Sequence, residues 1–291
     1  FIKLPEGTQM RYRADGPLEF PMGTAIAKTF SYPQVVGESS SDQHLLETRV
    51  EFLTDTGWYG ASYIWNEQQT EAALSLGGHD MHVEWIQDNG QRQSVRYQIP
   101  NANQCITCHS QDKKFVPIGT TAWNLNYPAA KSSGSKSTSD SIRPQDQLSM
   151  WAEQGLLVGF PAGHETIEKW PLLSDADSGT VESRARAWLD VNCAHCHSPG
   201  GSARPTGLDL RWNQQDLAKA GLWKTPVAAG PGSGGRKFGI VPGKAEESIL
   251  MYRLESDDPK AKMPNVGCAL VYDQGIALVR NWIESLPEET Q

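Results

Sequence analysis

The stretch AWLDVNCAHCH, at residues 187–197, ends in the pattern Cys-x-x-Cys-His, and the same pattern occurs as CITCH at residues 105–109. We call residues 105–109 motif 1 and residues 193–197 motif 2. Two thiols three positions apart can reach the two vinyl groups along one side of a haem, and the histidine after the second thiol then lies beneath the iron. The sequence therefore predicts two covalently attached haem c groups.

The pattern also predicts which residues hold each haem. The expected thioether cysteines and iron-ligating histidines are Cys105, Cys108 and His109 in motif 1, and Cys193, Cys196 and His197 in motif 2. We interpret His195, between the two cysteines of motif 2, as a filler residue.

Two other interpretations of paired cysteines fit less well. A zinc ribbon uses four thiolates, but the stretch between Cys108 and Cys193 is far too long for one, and zinc gives no reason for a histidine after each pair. A thioredoxin-like redox pair expects a strand followed by a helix, whereas motif 2 follows the end of a predicted helix. Four of the five cysteines lie in the two motifs, which argues against chance recurrence.

Length and composition indicate how many domains the protein has and which kinds of partner it can bind. The 291 residues are enough for two or three domains, and the 27 glycines and 18 prolines indicate many turns. The net charge of -8 argues against a nucleic acid or an anionic membrane as partner, and suits a basic redox protein. No run of eighteen apolar residues occurs, so no membrane span is predicted.

The start of the sequence and the predicted haem attachment both indicate a cellular compartment. The sequence begins at Phe1 without a charged and then apolar leader, which we interpret as a mature form whose signal peptide, or another upstream part, is missing. Haem is attached to such motifs on the outer side of the energy-transducing membrane in bacteria, so a periplasmic or otherwise extracytoplasmic location is expected. We expect the odd cysteine, Cys268, to be buried and inert, the alternative being a bond to another chain.

Residues 1–100 are predicted to form β-structure containing two hairpins. The predicted strands lie at residues 45–54 and 58–65, and at residues 81–87 and 93–99. Asp-Thr-Gly at residues 55–57 and Asp-Asn-Gly at residues 88–90 supply the turn signals between them. Motif 1 follows the second hairpin directly.

The rest of the chain is predicted to be irregular at first and helical towards the end. Residues 131–141, KSSGSKSTSDS, form a low-complexity segment that we expect to be an exposed loop. Helices are predicted at residues 145–157, 181–191, 248–254 and 273–286. Trp188 and Trp282 are expected to form a contact between two of these helices that closes the pocket of the second haem.

A helix leading into motif 2, a later Met-Pro loop and a terminal helix resemble a class I cytochrome c domain. The resemblance implies that Met263 ligates the second iron on the face opposite His197, where a soft thioether raises the potential. The alternative is that Met263 is a core residue in a turn. Arg236 and Lys237 either bind a haem propionate or form a solvated basic pair.

Together these features predict an α+β fold with three domains. The first is an antiparallel β-domain at residues 1–100, and the second is an irregular haem-binding segment with one helix at residues 101–179. The third is an all-α, class I-like cytochrome c domain at residues 180–291.

The second axial ligand of the first haem is left open. Met150 is favoured because it lies on an amphipathic predicted helix downstream of His109. The other candidates are Met22, His44, His79, Met81, His82 and His164. An iron with no protein ligand on this face is also possible, and it would bind peroxide or another small ligand instead of only moving electrons.

Nearly the whole chain resembles a family of bacterial two-haem c-type cytochromes, most of them uncharacterised. Besides motif 2, the resembling segments are FPMGT at residues 20–24, AKTF at 27–30, LETR at 46–49, YIWN at 63–66, IPN at 99–101 and NLN at 124–126. The resemblance implies an exported dihaem cytochrome with a β-rich N-terminal region, and brings no established reaction with it.

Three functions follow from these expectations. The leading one is electron transfer between extracytoplasmic redox partners, with the second haem at the higher potential. A dihaem peroxidase-like enzyme with one open iron is the rival, although such enzymes usually lack a preceding β-domain. The third is a haem-bearing docking subunit of a larger redox assembly or of a cytochrome polymer, which exposed aromatic residues of the β-domain would favour.

Overall fold

The computed structural model describes residues 1–36, 43–128, 146–162, 167–268 and 270–288. The chain forms two compact units, each made of three separate segments. Unit 1 comprises Phe1–Ile26, Glu51–Tyr59 and Val116–Trp170, and unit 2 comprises Ala27–Val50, Gly60–Phe115 and Pro171–Gln291. The predicted division into three domains at residues 100 and 179 stays a prediction.

The strands are concentrated in the first 115 residues. They are β1 (Ile2–Lys3), β2 (Met10–Arg11), β3 (Ala25–Pro33), β4 (Gln43–Thr54), β5 (Gly57–Trp65), β6 (Ala72–Ser75), β7 (His79–Ile86), β8 (Arg92–Ile99), β9 (Ser110–Gln111), β10 (Lys114–Phe115) and β11 (Leu157–Val158).

The α-helices are mostly short. They are α1 (Ala102–Cys108), α2 (Ala122–Leu125), α3 (Gln147–Glu153), α4 (Val181–Leu189), α5 (Leu217–Ala220), α6 (Ile249–Glu255) and α7 (Asp273–Ser285).

Both predicted hairpins are confirmed. β4 and β5 are neighbours in a five-stranded sheet of order β1-β3-β4-β5-β6, and the turn between them uses Gly57 at a φ of 112°. β7 and β8 pair antiparallel, from His79 opposite Ile99 to Ile86 opposite Arg92, around Gly90 at a φ of 80°. Such left-handed conformations favour glycine, which is why the turn signals were visible in the sequence.

Unit 1 is closed by a contact between distant parts of the chain. β2 pairs in parallel with β11, placing Met10 beside Leu157. Both side chains belong to a buried cluster with Leu18, Ala122 and Leu148, the last of which lies on α3. The helix predicted at residues 145–157 is therefore present, but it ends at Glu153 and is followed by β11.

In unit 2, α4 packs against α7. Trp282 of α7 is 1 % exposed and belongs to the same apolar cluster as Ala185 and Leu189 of α4, with Trp188 packed against that cluster. A Cβ atom added at Gly275 would lie 2.4 Å from Cε2 of Trp188, so only glycine permits this approach of the two helices. Both tryptophans thus lie at the helix contact, as predicted.

The predicted fold class is wrong, because residues 180–291 are not an all-α cytochrome c domain. Their four α-helices hold nine, four, seven and thirteen residues. Turns and short 3-10 segments separate them, and isolated parallel bridges join Leu222 to Ile240 and Phe238 to Ser248. Segments such as GPGSGG at residues 230–235 explain this, because proline and glycine both interrupt helices. The molecule is a mixed α and β protein.

The β-structure also departs from the prediction of a purely antiparallel N-terminal domain. The β2–β11 pair is parallel and includes residues beyond position 150. The predicted serine-rich loop at residues 131–141 and His164 lie outside the described residues. No described helix has the length and apolar character needed to cross a membrane.

Candidate cofactor site at the two Cys-x-x-Cys-His motifs

One π-helical turn, Asp190–Ala194, continues α4 and contains the first two residues of motif 2. The carbonyl of Cys193 accepts hydrogen bonds from the backbone N–H groups of Cys196 and His197, at 3.1 and 2.8 Å. After the motif the chain folds back tightly, because a Cβ atom at Gly201 would lie only 2.2 Å from the carbonyl oxygen of Cys196. The second cysteine of the motif is therefore fixed by the backbone on both sides.

A cavity of about 370 Å³ lies beside motif 2, within the range of roughly 300–1,000 Å³ that is typical of small-molecule and cofactor sites. Cys193, Cys196 and His197 line it, and so does Met263, the predicted second ligand. Its apolar lining includes Leu208, Leu210, Ala220, Ile240, Ile249 and Leu254. The donor set and the apolar walls suit a haem held by motif 2.

The environment of His197 suits an iron ligand. Its Nδ1 lies 3.3 Å from the hydroxyl oxygen of Thr206, and this contact leaves Nε2 for a metal. Burial lowers the pKa of His197 below its ordinary value, with a smaller contribution from the positive charge of Arg253. The neutral imidazole, the form that binds iron, is thereby favoured.

Motif 1 is held differently, on the seven-residue helix α1. The Asn101 side chain accepts from the backbone N–H of Gln104, and the Gln104 side chain accepts from the backbone N–H of Asn101, which forms a capping box. No residue of α1 is buried. The ring of His109 stacks on Phe115, with centroids 4.8 Å apart and planes 16° apart. Asn101 three residues before Gln104 is a sequence signal for the start of a helix, but no helix was predicted here.

The two motifs meet inside unit 2. The thiols of Cys108 and Cys196 are hydrogen-bonded, and their Sγ atoms and a ring nitrogen of His195 all lie within 4.8 Å of one another. The bond from Cys108, with further ones from His195 and Ser202, lowers the pKa of Cys196, while the same pairing and burial raise the pKa of Cys108. No pattern in the sequence predicts this contact between the two motifs.

Backbone contacts accompany the meeting of the thiols. The N–H of Asp112, just after motif 1, donates to the carbonyl of Gly200, just after motif 2, at 2.8 Å. The Cys196 thiol lies 3.6 Å from the carbonyl oxygen of Thr107. The cavity beside motif 2 is lined by Thr107 and Cys108 as well, so residues of both motifs border one space.

A buried ion pair lies near motif 1. Glu47 of β4 is fully buried, and its carboxylate accepts from Arg49 at 2.6 and 3.0 Å and from the Tyr97 hydroxyl at 2.7 Å. The Arg49 guanidinium also lies 4.3 Å from the centroid of the Phe30 ring. Cys196 and partial burial raise the pKa of Cys108, and the positive charge of Arg49 lowers it. The alternation of β4 predicted a strand here but not a buried carboxylate.

Arg236 and Lys237, predicted either as propionate partners or as a solvated basic pair, are not among the residues that line the cavity beside motif 2. The Arg236 guanidinium stacks on Tyr252, 4.6 Å from the ring centroid, and its Nε donates to the carbonyl of Glu246. Lys237 lies over the ring of Phe238. The lysine and arginine that do line the cavity are Lys224 and Arg253.

The candidate ligands of the first iron lie in several places. Met150 is half-buried on α3, in unit 1, whereas motif 1 belongs to unit 2. Met22 is 66 % exposed, and His82 contacts Glu84 on β7. Met81 packs against the cluster formed by Leu46, Val83, Tyr97 and Ile99. That Met150 ligates the first haem stays a prediction.

Cys268 is only half-buried, and its thiol donates to the carbonyl of Leu270 at 2.9 Å. It lies outside both motifs and is a free thiol in this structure.

Comparison with known proteins identifies no relatives: no family model, no curated protein and no solved structure matches the chain. Membership of the two-haem cytochrome family therefore stays a prediction, and the geometry of the two motifs carries the functional argument.

Proposed function

We propose that this chain is a dihaem c-type protein that transfers electrons between redox partners, with one haem on motif 1 and one on motif 2. The contact between Cys108 and Cys196 is the observation that carries this proposal. Each is the second cysteine of its own motif, so one of the two sulfur atoms that would hold each haem lies beside its counterpart from the other motif. Short separation between two redox groups is what an electron-transfer chain requires.

The residues of motif 2 have distinct tasks in this proposal. A bound haem supplies an iron that changes between the ferric and ferrous states by one electron. Cys193 and Cys196 hold the ring covalently, and Thr206 orients His197 so that Nε2 is available. Met263 supplies a thioether from another part of the cavity wall. The apolar walls exclude water, which keeps the charge of the iron from being solvated.

The location and the partners belong to the same proposal. Covalent haem attachment places the protein in the periplasm or otherwise outside the cytoplasm. The net charge of -8 favours a partner with a basic docking face, because opposite charges speed the encounter of two redox proteins.

A mononuclear metal site is the second candidate. Cys108, His195 and Cys196 present two sulfur atoms and one nitrogen within 4.8 Å of one another, and Nδ1 of His195 is buried without a partner among the described residues. Such soft donors suit Zn²⁺, but tetrahedral zinc needs a fourth ligand. Haem uses all six motif residues, whereas this metal site leaves Cys105, Cys193 and both motif histidines unused.

Cofactor content of the full chain, expressed in cells that attach haem c, separates the two candidates. The dihaem proposal expects two haems per chain by the pyridine haemochrome assay, a mass increase of two haems in the denatured protein, and two one-electron steps in a potentiometric titration. A chain with one equivalent of zinc and no haem would establish the metal site instead. A single haem or a single reduction step would contradict the dihaem proposal.

A further inference from the structure

Arg253 connects the cavity beside motif 2 to the loop that carries Met263. It lies on α6, and its backbone carbonyl accepts from the N–H of Met263 at 2.9 Å. Its side-chain Nε donates to the carbonyl of Ala261 at 3.0 Å. Arg253 thus holds the Met263 loop at two points, while its side chain lines the cavity.

The guanidinium of Arg253 is half-buried, and burial lowers its pKa. It packs against Gly232, where a Cβ atom would lie 3.3 Å from the Arg253 Cζ. Among the residues that the structure describes, no carboxylate forms an ion pair with it. A partly desolvated cation without an anion is costly, so the site favours an anionic group in the cavity.

Arg49, near motif 1, has the opposite charge environment. Its guanidinium is paired with the fully buried carboxylate of Glu47, so the pair is neutral. The arginines near the two motifs therefore differ: the one near motif 1 is paired with a carboxylate, whereas the one near motif 2 has no carboxylate partner among the described residues. A positive charge near an iron stabilises the ferrous state relative to the ferric state.

We propose that the Arg253 guanidinium binds a propionate of the second haem and makes that haem the easier of the two to reduce. This rests on the proposed dihaem function. A carboxylate matches the planar fork of a guanidinium, which can donate two parallel hydrogen bonds. The Nε–H already donates to Ala261, so the terminal nitrogens remain to donate to a propionate.

Substitution of Arg253 in the full haem-loaded chain tests the proposal. Arg253→Gln removes the charge and retains the backbone carbonyl that holds Met263. We expect two haems and an equilibrium constant for reduction of one haem that falls about tenfold, equivalent to about 59 mV for one electron. Arg253→Lys retains the charge without the fork and is expected to give a smaller shift.

Arg236→Gln is the matched control, because Arg236 lies on Tyr252 and does not line this cavity. Its titration should equal that of the parent protein. An Arg253→Gln protein whose potentials equal those of the parent, or whose two haems shift equally, overturns the proposal while leaving the dihaem function intact. If Arg253→Gln loses one haem, recovery of that haem in Arg253→Lys supports a need for the cation, and failure to recover it contradicts that need. Absence of haem from the parent chain is a failure of the proposed function itself.

Discussion

Motif 1 and motif 2 share one five-residue pattern but are held by different kinds of structure. Motif 1 lies on a short capped helix with no buried residue, and its histidine stacks on a phenylalanine. Motif 2 follows a helix packed into an apolar cluster, and it lines a cavity together with Met263. If haem is attached as proposed, the pattern specifies the attachment chemistry, whereas the surrounding fold determines the environment of each attached group.

The cysteine pairs give the largest expected effect on this comparison. Cys193→Ser with Cys196→Ser should remove one covalent haem of two, and Cys105→Ser with Cys108→Ser should remove the other. The motif 2 variant should also lose more stability, because it empties a cavity inside the molecule. Haemochrome assay and intact mass measure the first effect, and chemical denaturation the second. Cys268→Ser is the control and should retain both haems; loss of both haems from either double variant would contradict independent attachment.

Methionine ligation can be tested by two parallel substitutions. Met263→Leu keeps the volume but removes the thioether, so the reduction constant of the second haem should fall by at least about tenfold, or about 59 mV. If Met150 ligates the first haem, Met150→Leu lowers the potential of the other haem instead. Potentiometric titration with spectroscopic detection of methionine-bound iron decides both. Unchanged potentials in Met263→Leu would exclude this ligand.

Glu47→Gln should leave motif 1, like motif 2, near an arginine that has no carboxylate partner in the described part of the chain. The substitution leaves Arg49 without its anion, and breaking a buried pair in this way costs about 3–5 kcal/mol. The potential of the first haem should rise as a result. Glu84→Gln is the control, since its contact with His82 is exposed and should contribute no more than about 1 kcal/mol. Equal stability of the two variants, measured by urea denaturation, would refute a structural role for the buried pair.

The last prediction concerns Asp190, in the turn that leads into Cys193. Burial raises the pKa of Asp190 from 3.8 to about 6, although its carboxylate accepts from the N–H of Trp212. Because the folded-state pKa is raised, the stabilising contribution of the protonated carboxyl is present below about pH 4 and is lost as the pH rises through about 6. Asp190→Asn should therefore nearly match the parent at pH 4 and exceed its free energy of unfolding by about 3 kcal/mol at pH 7.

Guanidinium denaturation at both pH values measures this effect of Asp190. Asp55→Asn, in the exposed turn between β4 and β5, serves as the control. A stability difference between Asp190→Asn and the parent that is the same at pH 4 and pH 7 would contradict the assignment.

Local features of this fold were predictable from the sequence, because local interactions determine them. Asp88-Asn89-Gly90 specified the second hairpin, and the apolar spacing around Trp188 and Trp282 specified α4 and α7. The all-α prediction for residues 180–291 failed because it followed a resemblance instead of the glycine and proline content of the segments between the helices.

Contacts between distant residues could not be predicted. Nothing in a single sequence connects Met10 with Leu157, or Cys108 with Cys196, because such pairs depend on how separate elements pack. The sequence around Glu47 indicates only a strand residue. Its burial could not be predicted, because the carboxylate is paired with Arg49 and with Tyr97 from another hairpin. The pattern predicts six cofactor residues, and the structure was needed to show that the two motifs lie in contact.

The tight turn at Gly201 has a consequence for the speed of electron transfer. A side chain at this position would collide with the carbonyl oxygen of Cys196 and would displace the backbone that holds this cysteine beside Cys108. The rate of electron tunnelling falls steeply as the gap between two redox groups widens. In the proposed dihaem protein, a residue without redox chemistry of its own therefore helps to fix the spacing on which the rate between the two haems depends.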